Sequence, residues 1–251
     1  METSDLCERL QWDSTFFGFP VGRVVSRSLS PAEAGRVVTW ATREGVRCVY
    51  CLVDGGDVET HHAVEQAGFR FADSRVQLEW LHDPAIVTAA GSAADLVGPC
   101  RDADHPALAR IARNAHDQSR FYRDRHFPRE RCDALYEQWI LGDCAGAAAV
   151  VLVARSPAPV GYVSCHVRGA ACGSIGLLGV ASTARRRGVG QALVGSALAW
   201  FATRGIGSVE IITQGHNVEA LRLYQRNGFR TRAVKFWWHL WPTLAGARAG
   251  A

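Results

Sequence analysis

The apolar positions of this chain fall into two rhythms, one of strands and one of helices. Ala148 to Ala154, Val160 to Val167 and Ile175 to Val180 are short apolar runs. Their lengths and flanking turn residues predict buried strands, the first two joined by a turn over Arg155 to Pro159. From Gln191 to Phe201 the apolar residues recur at helical spacing instead. Asn217 reads as the opening of another helix, with Ala220 and Tyr224 four residues apart on one face and Gly228 where a C-cap belongs. Upstream, Asp102-Ala103-Asp104 offers an N-cap for a helix through Ala107 to Ala112. The run Leu10 to Phe19, rich in aromatics, reads on composition as a strand that plugs a core. This order predicts an α/β fold in which helices flank a mixed sheet of α+β character.

The chain also echoes itself. Trp40, Gly45, Val49, Gly55, Val58, Glu59, Gly68, Phe69 and Arg70 each recur 160 positions later, nine identities in 31 positions. Ordinary composition would supply about two. Both stretches read as helix, strand, short loop, helix, Gly-Phe turn and strand. The earlier one carries Val64 and Asp57 where the later has Tyr224 and Asn217, and Val25 to Ser30 lacks a glycine-rich loop. Residues 1–82 are therefore expected to form a degenerate, structural half-copy. Residues 83–94 are expected to be a linker, 95–242 the working domain, and 243–251 a frayed tail.

Composition excludes several function classes. A chain of 251 residues, 48% hydrophobic and 21% charged, is ordinary for a globular protein. Its longest apolar stretch, Ala145 to Ala154, is too short to cross a bilayer, and Met1 to Asp5 lacks the basic-then-apolar pattern of a leader, so a cytoplasmic protein is expected. The net charge of +4 is dispersed, with a single lysine, Lys235, and no basic helix interleaved with aromatics, so nucleic acid is not the expected ligand. The eight cysteines are scattered. Cys48 and Cys51 sit in a strand-like run that would point their thiols to opposite faces, and no second pair completes a zinc site, so no metal is expected.

The chemistry concentrates between Val180 and Phe229. Arg185-Arg186-Arg187-Gly188-Val189-Gly190 lies between a strand and a helix. Glycines there let backbone amides approach a ligand at a helix N-terminus, which favours an anion such as a pyrophosphate, and the arginines add charge-assisted bonds. This run followed by Asn217, Ala220, Tyr224 and Gly228-Phe229 resembles the acetyl-CoA site of the GNAT N-acetyltransferase superfamily, over about Leu96 to Leu240. Trp12-Asp13-Ser14-Thr15-Phe16-Phe17-Gly18 further resembles the opening of the dTDP-fucosamine acetyltransferases. Gln118 to Phe121, Phe127, Tyr136 to Ile140, Gly161 to Ser164 and Ile175 to Leu178 agree with that comparison. One departure is the approach Ala181 to Arg185, which those enzymes have shorter.

The resemblance implies a direct transfer of acetyl from acetyl-CoA to a primary amine, possible acceptors being headed by a dTDP-linked deoxyamino sugar. It assigns the pyrophosphate to Arg185, Arg186, Arg187, Gly188, Val189, Gly190 and Gln191, and the pantetheine arm to Leu178, Gly179, Val180 and Asn217. Tyr224 becomes the proton donor to the departing thiolate, a phenol of pKa about 10 facing a thiol of about 8.5. The base stays open among His116, Asp117, His166 and water. Phe16, Phe17, Arg120, Phe121 and Tyr136 are the expected acceptor contacts. Alternatives are an acetyltransferase for aminoglycosides or other small amines, and a non-catalytic acyl-CoA sensor. Monomer and homodimer are both compatible.

Overall fold

The computed structural model describes residues 6–81, 96–169 and 171–242. The expected linker and tail lie outside the described residues. The chain divides into two compact units, and neither is contiguous in sequence. The first comprises Met1–Arg75, Arg123–Pro128 and Ala233–Ala251; the second comprises Val76–Tyr122 and Arg129–Arg232.

In the first unit, β1 (Cys7–Arg9) pairs antiparallel with β2 (Val21–Val24), and β2 runs parallel to β3 (Cys48–Asp54). Between β1 and β2 lies α1 (Gln11–Phe17), where composition led us to expect a strand. The aromatic content argued for a strand, but local bonds decide for the helix. Ser14 Oγ donates to Leu10 O at 2.6 Å and accepts from Val21 N–H at 2.9 Å, and Gly18 at φ +77° ends the helix in the left-handed region. α2 (Pro31–Arg43) starts from a capping box, in which Ser30 Oγ accepts from Glu33 N–H and the Glu33 carboxylate accepts from Ser30 N–H, with Pro31 in the first turn. α3 (Val58–Gln66) is capped by Asp57 and leads into β4 (Arg70–Leu81). Its core is built on Leu6, Val37, Trp40, Val49, Val53, Val64 and Phe69.

In the second unit, β5 (Val97–Pro99) is followed by a 3₁₀ turn (Asp102–Asp104) and α4 (His105–Ala115). Asp104 does not cap α4 with its side chain, contrary to the expectation. That carboxylate is drawn instead to Arg101 N–H at 2.8 Å and to the Arg155 guanidinium. Next come α5 (Arg120–Arg123), α6 (Arg129–Gly142), a π-helical turn (Asp143–Ala147), β6 (Val150–Arg155), β7 (Pro159–Arg168) and β8 (Cys172–Val180). After a short 3₁₀ turn come α7 (Val189–Ala202), β9 (Ser208–Thr213) and α8 (Val218–Arg226), and the chain continues into β10 (Arg230–Leu240), which belongs to the first unit from Ala233 on. The three strands expected between 148 and 180 and the helix after 189 are therefore present. β5, β6, β7 and β8 form an antiparallel ladder, and β8 runs parallel to β9. Trp80, Leu193, Phe201 and Val209 are fully buried at its core.

The internal echo extends to geometry. α2, β3, α3 and β4 recur in order as α7, β9, α8 and β10, and α3 and α8 are offset by the same 160 residues. Thr60 N–H bonds the Asp57 side chain at 3.0 Å as Ala220 N–H bonds Asn217 at 3.2 Å. Gly68 and Gly228 both adopt positive φ, at +90° and +85°. The final strands, however, are exchanged between the repeats. β4, which follows the first repeat, pairs with β9 of the second, Trp80 opposite Val209 and Leu78 opposite Ile211. β10, which follows the second, pairs with β3 of the first, Leu240 opposite Val49 and Trp238 opposite Cys51. The two registers coincide once the 160-residue offset is applied.

Candidate active site

The site is built where β8 leaves its parallel neighbour. β9 pairs with β8 only from Cys172 to Ile175, whereas β7 continues alongside β8 to Val180. A register shift on the β7 side, where Leu177 N–H donates to Ser164 Oγ at 2.9 Å, bends β8 at this point. Gly176 to Val180 thus runs on past the parallel ladder and presents an edge to which an extended ligand can add as a strand. Gly179 is required there by close approach: a Cβ would lie 2.7 Å from the Tyr162 ring and 2.8 Å from its hydroxyl.

From Val180 the chain turns directly into the anion-binding loop. Arg185 Nε donates to Val180 O at 3.4 Å. Arg186 has φ +59°, the one non-glycine residue at positive φ among the described residues, and Gly188 has φ +79°. Left-handed residues interspersed in such a loop gather backbone N–H groups into a concavity that suits an anion. Gly188 is the N-cap of α7 and supplies no side-chain acceptor. The first-turn amides of Val189, Gly190 and Gln191 therefore lack an intrahelical partner and sit at the positive end of the helix dipole. The three arginines around them are exposed.

Asn217 Oδ1 caps α8, as its sequence position suggested, and this fixes that oxygen on Ala220 N–H. Gln191 contributes its side chain elsewhere. It forms a reciprocal amide pair with Asn227, at 2.9 and 3.1 Å, which ties the start of α7 to the end of α8. Its backbone N–H, in the first turn of α7, is one of the amides without an intrahelical partner. Asn227 was not singled out in the sequence, because a 36-residue separation leaves no periodic signal.

Tyr224 on α8 is 94% buried, with its ring 6.0 Å from that of Phe229 and its C=O accepting from Phe229 N–H. Among the described residues its hydroxyl has no hydrogen-bond partner. Burial pushes its pKa above the ordinary phenolic value. The phenol is protonated, as expected, but in the free protein it is a weaker acid than the expected match to a thiol supposed.

On the other side of β8, His116 Nε2 lies 2.9 Å from the Tyr162 hydroxyl, and its ring stacks on Tyr136 at 4.4 Å. Desolvation pushes the His116 pKa down to about 4, the nearby Arg185 adding to this and Asp117 opposing it, so the imidazole is neutral at physiological pH. Asp117 is exposed. His166 is drawn to Asp143 at 3.5 Å, which raises its pKa. Of the expected acceptor contacts, Phe121 and Tyr136 are buried in one aromatic cluster with Trp139, while the Arg120 guanidinium lies 4.3 Å over the Phe121 ring. Phe16 and Phe17 belong to the first unit and are core residues there, with Phe17 packed 4.7 Å from Phe127. The more exposed ring of that helix is Trp12, stacked on Phe16.

Residues 111–229, which hold this whole arrangement from α4 to the Gly-Phe turn, match the profile of the acetyltransferase (GNAT) family. Over that stretch, a little under half of its length, the chain is similar to the GNAT acetyltransferases. The fold expected from the resemblance is the fold observed. The chain is similar to a dTDP-fucosamine acetyltransferase of Escherichia coli, 28% identical over 237 residues that cover 92% of this chain and 96% of that one. It is 29% identical to a spore coat polysaccharide biosynthesis protein of Bacillus subtilis over 147 residues, 58% of this chain but only 50% of that protein's length. A solved GCN5-related N-acetyltransferase from Sphaerobacter thermophilus shares the fold, with TM-score 0.65 and 18% identity over 93% of this chain and 75% of that one. Among the described residues no helix is long and apolar enough to cross a membrane.

Proposed function

We propose that this GNAT enzyme moves the acetyl group of acetyl-CoA to the primary amine of a nucleotide-linked deoxyamino sugar, by direct attack in a ternary complex. The observation that carries the acetyl-CoA half is the parting of β8 from β9 beyond Ile175, immediately before an uncapped helix N-terminus lined by Arg185, Arg186 and Arg187. An extended pantetheine arm fits the free edge of Leu178, Gly179 and Val180, and a pyrophosphate fits the amides of Gly188 to Gln191. The acceptor half rests on the likeness to the dTDP-fucosamine acetyltransferase, which spans nearly both chains. No observation favours the aminoglycoside or sensor reading over it.

In this reading a β8 amide donates to the thioester oxygen and stabilises the charge that develops there as the amine attacks. The amine nitrogen bonds the carbonyl carbon, the carbon–sulfur bond breaks, and Tyr224 gives its proton to the leaving thiolate. Among the three side-chain candidates for the base, His116 is best suited to receive the amine's proton. It is neutral and partly buried, and it is joined through Tyr162 to the β8 face at Gly179. Tyr136, Arg120 and Phe121 would then border the acceptor. The first unit is read as the degenerate half-copy, supported by the recurrence of α2 to β4 as α7 to β10.

Thiol release from acetyl-CoA, measured against a panel of dTDP-amino sugars, aminoglycosides and polyamines, tests the proposal. Turnover on a dTDP-amino sugar is expected to exceed the others. Turnover confined to polycationic amines would overturn the acceptor, and failure to bind acetyl-CoA would overturn the whole reading.

A further inference from the structure

A second group of reactive side chains lies in the second unit, distinct from the acetyl-transfer residues and independent of the function proposed for them. Cys100 follows β5, His105 opens α4, and Cys144 lies in the π-helical turn after α6. Their spacing in sequence matches no zinc pattern, which is why none was expected. The fold nevertheless brings one ligand atom from each within 4.8 Å of the others, and the Cys100 and Cys144 sulfurs are 3.6 Å apart.

That separation is informative. Two thiolates bound tetrahedrally at about 2.3 Å from a zinc ion stand about 3.8 Å apart, whereas a disulfide requires about 2.05 Å. The sulfurs thus already have close to the spacing of a metal-bound pair. All three residues are half-buried, so an ion can reach them while the surrounding protein shields the bonds. Each comes from a different element, so the positions are set by tertiary packing rather than by one flexible loop. The neighbouring carboxylate of Asp104 is engaged by Arg101 N–H and Arg155, which leaves a fourth position for water.

We propose that Cys100, His105 and Cys144 form a binding site for a thiophilic divalent cation of the zinc class, with two thiolates, one imidazole and a water as ligands. Soft sulfur ligands select such ions over magnesium or calcium, and two thiolates with one histidine is a known zinc ligand set. The ion would clamp the start of α4 to the turn that ends α6. α4 ends at His116 and α6 carries Tyr136, so loading is expected to stiffen the acceptor side of the domain.

The test uses the full chain, stripped with a chelator under reducing conditions and titrated with Co²⁺. The expected result is a thiolate-to-cobalt charge-transfer band with the visible bands of tetrahedral cobalt, saturating at one ion per chain and displaced by Zn²⁺. Cys100→Ser and Cys144→Ser should each abolish the charge-transfer signal while far-ultraviolet circular dichroism shows a folded protein. Cys172→Ser, which removes an exposed cysteine outside the cluster, should leave it intact. His105→Asn keeps both thiols and most of the helix start, and should weaken cobalt binding at least about tenfold. Absence of the band in the parent chain, its persistence in Cys100→Ser or an unaltered His105→Asn titration would overturn the proposal. So would a Cys100–Cys144 disulfide as the resting state of protein purified without chelator.

Discussion

Tyr224→Phe separates chemistry from packing more cleanly than any other single change. The ring is 94% buried and packs near Phe229, while its hydroxyl has no hydrogen-bond partner among the described residues. Phenylalanine keeps the buried ring and removes one oxygen that no hydrogen bond to a described residue holds. The variant should therefore match the stability of the parent to within about 1 kcal/mol. If the phenol protonates the departing thiolate, its loss should lower kcat by about 10²- to 10⁴-fold. That is about 2.7–5.4 kcal/mol of transition-state stabilisation at 1.36 kcal/mol per decade. The anion loop and β8 edge are untouched, so the Kd for acetyl-CoA should stay within about twofold, since uniform binding is not altered. Steady-state thiol release, calorimetric titration with acetyl-CoA and a thermal melt give the three quantities. The direction of the pKa shift adds a check: burial raises it, so the phenol remains protonated well above neutral pH and no alkaline loss of activity near pH 8 should come from Tyr224. Unchanged kcat with intact affinity would refute the reasoning, as would an equal loss of affinity and rate.

Further outcomes are expected. His116→Gln should lower kcat/KM by about 10²-fold without loss of acetyl-CoA binding; an unchanged pH–rate profile would remove His116 as the base. Because its folded pKa of about 4 lies below the ordinary 6.5, His116 opposes stability as pH falls from 6.5 toward 4, and His116→Gln should flatten that part of a stability-versus-pH curve. Asp124 receives bonds from His239 at 2.6 Å, Trp241 at 2.8 Å and His126 at 2.8 Å, and these outweigh its burial to hold the pKa below the ordinary 3.8. Its stabilisation is present above about pH 4 and lost as pH falls further, so Asp124→Asn should destabilise by about 3 kcal/mol in denaturant at neutral pH and narrow the gap in acid. Asn227→Ala breaks the amide pair with Gln191 and should cost about 1–2 kcal/mol, measured by denaturant unfolding.

What the chain discloses locally, it discloses well. The loop at Arg185 to Gly190 and the helix from Asn217 were legible because glycine backbone freedom and side-chain caps are coded within a few residues. α1 was misread for a related reason. Trp12, Phe16 and Phe17 have high strand propensity, and only the bonds of Ser14 to Leu10 and Val21 tip the balance toward a helix. Contacts between distant segments left no trace in any window. The bond of His116 to Tyr162, the pair Gln191–Asn227 and the cluster Cys100, His105 and Cys144 are each products of tertiary closure. The internal echo was visible as identities at a fixed offset, but which strand each repeat would accept as its last partner was not.

That exchange of last strands sets a schedule for synthesis. Leu240, opposite Val49, is made some 190 residues after it, so β3 waits with one edge uncovered until β10 has been synthesised. A nascent chain stopped at Phe229 would hold every residue of the GNAT match yet leave β3 without this partner. Such an intermediate invites pairing with a neighbouring nascent chain, and a reciprocal dimer is the misassembled product to look for when the protein is made faster than it can close.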